Sequence, residues 1–258
     1  MSYKYLETRE EKNVLVIILS REKSLNALTH EMIKELRHLF TKLNHDPGHI
    51  KGVVITGRGS RAFAAGADIK ELIDLNEDSA YSVSLEGHKT MELIEKSPFP
   101  VIAAINGYAL GGGFEVALAC HIRVADTTAQ MGLPEATLGL LPGYGGTQRL
   151  IKIIGRAQAI ELMCSGDMIK APRALEMGIV SYVTTPGLEV TKSIEIISNM
   201  TKNAPTSVVK ILQATRLSLY NDEEGYRFER KAFSELINSP NGKEGMKAFI
   251  EKRKPEFK

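Results

Sequence analysis

The sequence predicts an α/β fold, with a strand-and-helix core over residues 1–195 and a helical region over 196–258. Three observations carry this expectation. Short, continuous apolar runs such as Val14–Leu19 (VLVIIL) and Val101–Ile105 (VIAAI) read as strands buried on both faces. Stretches with helical apolar spacing separate them, which is the order of a parallel sheet covered by helices. Beyond residue 150 helical patterns dominate, and only 179–184 reads as a further strand.

Taken in order, the first strand is Val14–Leu19, and residues 21–28 form a loop. Thr29 is placed to cap a helix over 30–43, whose apolar positions Met32, Ile33, Leu36, Leu39, Phe40 and Leu43 fall on one face. Asp46-Pro47-Gly48 stops it. Residues 52–56 (GVVIT) form the next strand, followed by the loop Gly57-Arg58-Gly59-Ser60. The segment Ala62-Phe63-Ala64-Ala65-Gly66-Ala67-Asp68-Ile69-Lys70 is built mostly of small residues, which let a ligand approach the backbone. A helical stretch runs on to Lys96 and is ended by Ser97-Pro98-Phe99-Pro100. Val101–Ile105 then leads through Asn106-Gly107 to the triplet Gly111-Gly112-Gly113, an apolar helical run and a strand over 122–125. Gly132-Leu133-Pro134-Glu135 and Pro142-Gly143-Tyr144-Gly145-Gly146-Thr147-Gln148-Arg149-Leu150 follow as turns, the second entering a helix. The last helix is expected over 243–252, with a basic end at Lys252-Arg253-Lys254.

Composition bounds the function. A chain of 258 residues holds one domain, or one with a small appendage. The 33 basic and 31 acidic side chains nearly cancel at +2, so no basic stripe announces a nucleic-acid partner. The polar, mixed-charge N-terminus MSYKYLETREEKNV resembles neither a signal nor a transit peptide. No run approaches the ~20 apolar residues that span a bilayer. The two cysteines, Cys120 and Cys164, lie in apolar sequence and are expected to pack as small hydrophobes. A cytoplasmic protein is the expectation. The six histidines show no metal-ligand spacing, and the glycine turns match neither a P-loop nor a dinucleotide fingerprint, so no metal is expected.

Two carboxylates stand out. Glu115 has only apolar neighbours from Phe114 to Cys120, which places it in the interior, and a buried carboxylate is costly unless it is paired or has a job. Glu135 follows a proline turn and, alone, reads equally as a cap or surface residue. Close together, the two cannot comfortably both ionise, which separates an acid from a base at neutral pH. The glycine triplet has two readings. It permits close packing of strand on helix, or it exposes the N–H groups of a helix starting at Gly112 or Gly113 to an anion. In the second reading Ala67, on its small-residue segment, is the other donor of an oxyanion hole.

In sequence order, Ala64 to Lys70, Asn106-Gly107-Tyr108-Ala109-Leu110-Gly111-Gly112-Gly113-Phe114-Glu115, Gly132-Leu133-Pro134-Glu135 and Pro142 to Leu150 resemble the motifs of the crotonase, or enoyl-CoA hydratase/isomerase, superfamily. The resemblance covers essentially the whole chain. It implies a spiral of ββα turns where pattern alone suggests a flat doubly wound sheet, and a C-terminal trimerisation region that builds homohexamers. It puts the oxyanion donors on Ala67 and Gly112, the catalytic pair on Glu115 and Glu135, and water positioning on the N–H of Gly143. Leu25, Ala27, Ala65, Ala67, Asp68, Ile69, Lys70 and Gly112 become acyl-CoA contacts, and the basic end at Lys252-Arg253-Lys254 a partner for CoA phosphates. No cofactor is implied, since the CoA thioester is itself the substrate. Keeping both glutamates implies a 2-trans-enoyl-CoA hydratase, with enoyl-CoA isomerase as an alternative. A second alternative is methylglutaconyl-CoA hydratase, suggested by Ile122-Arg123-Val124-Ala125 and Met131-Gly132-Leu133. RNA binding is an alternative of another class. The helix over 72–94, with Phe114 and Leu138, is expected to line the acyl pocket.

Overall fold

A computed structural model describes residues 3–219 and 221–257. Its contacts divide the chain into two compact units between Ile194 and Glu195. In the first unit, β1 (Leu6–Glu11) turns back on β2 (Val14–Leu19) as an antiparallel pair. Then follow α1 (His30–His45), β3 (Gly52–Gly57), β4 (Ala62–Ala65), α2 (Ile69–Leu72) and α3 (Glu77–Glu95). Another turn adds β5 (Val101–Ile105), β6 (Tyr108–Leu110) and α4 (Gly112–Ala119). The next adds β7 (Ile122–Asp126), β8 (Gln130–Gly132), α5 (Gly146–Ile154) and α6 (Arg156–Ser165). The unit closes with β9 (Ile169–Lys170), α7 (Ala171–Glu176) and β10 (Tyr182–Thr184).

From β3 to β8 successive strands alternate between two sheets. One runs β1-β2-β3-β5-β7-β10 and the other β4-β6-β8-β9. The β3–β4, β5–β6 and β7–β8 turns therefore each give their first strand to the large sheet and their second to the small one, whereas β1 and β2 both join the large sheet. That is a spiral, and the flat sheet suggested by pattern alone is corrected. β3 and β5 are buried at every position, as strands covered on both faces must be. β1 is the opposite, with Leu6 buried and Glu7 to Glu10 exposed, and these charges blunt the sheet edge.

Local chemistry fixes the elements that frame the site. Thr29 accepts the N–H of Met32 at 3.2 Å and caps α1. The buried Asn106 carboxamide donates to the carbonyls of Gly57 and Gly59 at 2.9 and 2.8 Å and accepts the N–H of Gly57 at 3.1 Å. It thereby ties the β3 exit to the β5–β6 turn. At Gly113 an added Cβ would run into the carbonyl of Ala64, so the start of α4 lies directly on β4.

α8 (Glu189–Met200) crosses the division, and the second unit adds α9 (Pro205–Ser218), α10 (Asp222–Ile237) and α11 (Pro240–Ile250). α9 packs on α10. α11 ends earlier than expected, and Arg253 turns back onto Glu244 at 2.6 Å and Glu251 at 2.7 Å. No described helix is long and apolar enough to cross a membrane.

Candidate active site

A cavity of about 470 Å³ opens between α2, α3, the start of α4 and the turn carrying Glu135. Ala65, Ala67, Gly112, Glu115, Glu135 and Gly143 all line it, so the structure brings most of the expected site together. Ile69 also reaches it. Leu25, Ala27, Asp68 and Lys70 lie outside its lining. Leu25 accepts the N–H of Ala65 at 3.0 Å, and Arg21 ties the Ala27 carbonyl at 2.6 Å to the Asp68 carboxylate at 2.9 Å. Asp68 also accepts the N–H of Lys70 and caps α2. The Arg21 guanidinium holds the Asp68 carboxyl below the usual carboxylate range.

Ala67 and Gly112, both in the cavity lining, stand on two different backbone segments. Leu28 and Ala67 form a parallel bridge in which Leu28 donates to Gly66 and accepts from Asp68, both at 2.8 Å. In such a bridge the N–H of the intervening residue, Ala67, faces the other way. Gly112 is the first residue of α4, where a helix N–H has no intrahelical acceptor. The turn into that helix is possible because Gly111 adopts φ 50°, ψ −128°, a conformation that side chains resist.

Glu115 is 1% exposed. Its Oε1 accepts the N–H groups of Tyr144 and Gly146 at 2.7 and 2.6 Å. Burial pushes its pKa up to about 7, against the pull of those two N–H groups, with the nearby Glu135 pushing further up and Arg149 pulling down. Glu135 stands on the 3-10 turn Pro134–Leu138 and reaches over Gly111. Burial raises its pKa too, and its Oε2 is buried with no protein partner among the described residues. Burial favours the proton on both carboxyls, and Glu115 is in addition clamped through one oxygen. Two such carboxyls lining one cavity can do paired acid and base work.

Sequence reasoning missed several residues. The backbone N–H groups of Tyr144 and Gly146 have no sequence signature as partners of a glutamate about 30 positions earlier. Arg149 donates to Glu95 at 2.9 Å and to the Tyr144 carbonyl at 3.0 Å, which fixes the loop that clamps Glu115. Leu138 lines the cavity as expected, but Phe114 does not: at 1% exposure it packs in the core. The helix reading is corrected as well. Leu72 of α2, Leu75 between the helices, and Ala80, Val83 and Ser84 of α3 make the wall, and the rest of α3 lies elsewhere. Cys120 is buried as expected, whereas Cys164 is exposed.

Residues 9–258 match the family described as enoyl-CoA hydratase/isomerase, and the chain belongs to that family. It is 38% identical to a short-chain-enoyl-CoA hydratase of Clostridium acetobutylicum, over 96% of this chain and 95% of that protein. It is 37% identical to a crotonyl-CoA hydratase of Syntrophomonas wolfei, over 100% and 99% of the two chains. The crystal structure of an enoyl-CoA hydratase from Bacillus anthracis superposes with a TM-score of 0.93 at 38% identity, covering 99% of both chains.

Proposed function

We propose that this chain is a 2-trans-enoyl-CoA hydratase, adding water reversibly and syn across the double bond to give a 3-hydroxyacyl-CoA. The observation that carries the reading is the pair Glu115 and Glu135, both with raised pKa, in a cavity that Ala67 and Gly112 also line.

In this reading the thioester oxygen accepts from Ala67 and Gly112, and the two donors stabilise the enolate that forms as C2=C3 opens. Losing one such donor typically costs ~3–4 kcal/mol of the barrier. Glu115, with Oε1 held by two N–H groups, uses its other oxygen to take a proton from water as the hydroxyl bonds to C3. Glu135, in the protonated form that its burial favours, gives its proton to C2. One proton leaves Glu135 and one arrives at Glu115, so the pair is restored by proton exchange before the next turnover. Gly143 lines the same cavity and is the candidate to hold the water through its N–H. No cofactor enters these steps.

Ala65, Ile69 and the neighbouring Leu25, Ala27, Asp68 and Lys70 are proposed as the thioester and CoA edge. The second unit exposes Phe233 at 66% and Phe249 at 86%, which supports an oligomerisation role, and a cytoplasmic homohexamer is proposed with it.

The test is the loss of absorbance of the conjugated thioester of crotonyl-CoA. Wild type hydrates it rapidly. Glu115→Gln and Glu135→Gln each lose activity by about 10²–10⁴-fold. A folded wild type that leaves crotonyl-CoA unchanged overturns the reading.

A further inference from the structure

Tyr144 sits where the parts of this site meet. Its backbone N–H donates to Glu115 at 2.7 Å. Its ring lies against Gly112, where an added Cβ would stand 3.2 Å from Cε2 and 3.5 Å from Leu28 Cδ1. Leu28 is in turn the bridge partner of Ala67. On its other side the ring presses on Gly87 of α3, where any Cβ would collide with it. The residue is 7% exposed. It also borders a second cavity of about 210 Å³, which shares Val83 with the first and is otherwise lined by His30, Ile33, Lys34, Ser82 and Glu86.

We propose that Tyr144 is a positioning residue whose ring divides the catalytic cavity from this second one, holding Glu115 dry and the Gly112 N–H in place. The proposal rests on the hydratase reading for its kinetic consequences but not for its geometry. The ring's shape carries the role, not its hydroxyl. Burial, together with the negative Glu115 and Glu71, pushes the phenol up to about 12, so it stays protonated throughout the working range. Removing the ring joins the two cavities and admits water behind Glu115. Its carboxyl then loses part of the desolvation that raises it. The other groups facing it stay in place: Glu135, Arg149 with its partner Glu95, and His88 of α3, held low by burial and by Arg149.

The experiment compares wild type, Y144A, Y144F and G87A by crotonyl-CoA kinetics and by carboxyl ¹³C NMR titration, with the Glu115 signal assigned through Glu115→Gln. In Y144A, kcat falls about 10–100-fold while KM changes far less. The Glu115 titration midpoint moves down by about one pH unit, and the acid limb of the rate profile moves with it. Y144F, which keeps the ring, restores most of the lost kcat. G87A displaces the ring and lowers kcat in the wild-type background, but adds nothing in a Y144A background. A folded Y144A with an unmoved Glu115 titration overturns the proposal, as does a Y144F as impaired as Y144A. If wild type proves inactive on crotonyl-CoA, the hydratase reading falls, and the NMR titration still decides whether Tyr144 shields Glu115.

Discussion

Gly146 donates its N–H to Glu115 Oε1 at 2.6 Å, and a Cβ at position 146 would stand 3.0 Å from that same oxygen. The glycine is therefore set by a carboxylate in another helix, not by its own backbone. Gly146 opens α5 and is absent from the left-handed positions, unlike its neighbour Gly145 at φ 101°.

Gly146→Ala consequently strains the site more than the fold. The methyl group also meets Leu133 Cδ1 at 3.0 Å, so the carboxylate or the leucine must give by a few tenths of an ångström. We expect kcat on crotonyl-CoA to fall roughly tenfold, because small displacements of a reacting group are costly. The stability obtained from urea unfolding should drop by no more than about 1–2 kcal/mol. Wild-type kcat in this variant would show that Glu115 need not sit where it does.

Glu115 destabilises the protein it serves. Its folded pKa of about 7 lies above the ~4.3 of an unfolded chain. Between those values the folded state binds the proton more tightly, so stability declines as pH rises from about 4 to 7 and is then level. Glu115→Gln keeps an oxygen for the Tyr144 and Gly146 N–H groups and removes the ionisation. It should stabilise the fold by about 2–3 kcal/mol at pH 8 and by little near pH 4. Urea unfolding at both pH values checks this, and an equal effect at both would refute it. In wild type the proposed role of Glu115 as the base predicts an acid limb in kcat/KM centred near pH 7.

Much of this could be read from the sequence wherever burial leaves a compositional trace. β2, β3 and β5 announce themselves as apolar runs, and Glu115 as one acid among apolar neighbours. The small sheet was illegible because Ala62–Ala65, Tyr108–Leu110 and Gln130–Gly132 are too short and too small-sided to show a period. β1 read as a polar tail because it is an edge strand with four exposed positions in a row. Only the resemblance supplied the spiral. The loop from Tyr144 to Gly146 could be seen as a turn, but a backbone N–H aimed at a distant carboxylate leaves no side-chain signal. The same holds for Tyr144 and Gly87, which fit each other across 57 positions.

The cavity lining favours a plain acyl tail over an acidic one. Among the described residues that form it, Glu115 and Glu135 are the ionisable side chains apart from the Tyr144 phenol, and no Lys, Arg or His joins them. Leu72, Leu75, Val83, Leu138, Leu140 and Leu141 make most of the rest of the wall apolar, and Ser84 spends its hydroxyl on the Gly143 carbonyl at 2.7 Å. A methylglutaconyl tail brings a carboxylate into this setting with no cation to meet it and with like charge nearby. Burying an unpaired charge costs several kcal/mol, whereas each added CH₂ of a plain acyl chain contributes about 0.8 kcal/mol. We expect kcat/KM to rise from the four-carbon to the six-carbon enoyl thioester. We expect methylglutaconyl-CoA to lag crotonyl-CoA by at least about 100-fold, the equivalent of ~2.7 kcal/mol. Comparable rates on the acidic and the plain substrate would mean that a cation reaches the tail from outside this lining, and the apolar-tail assignment would be abandoned.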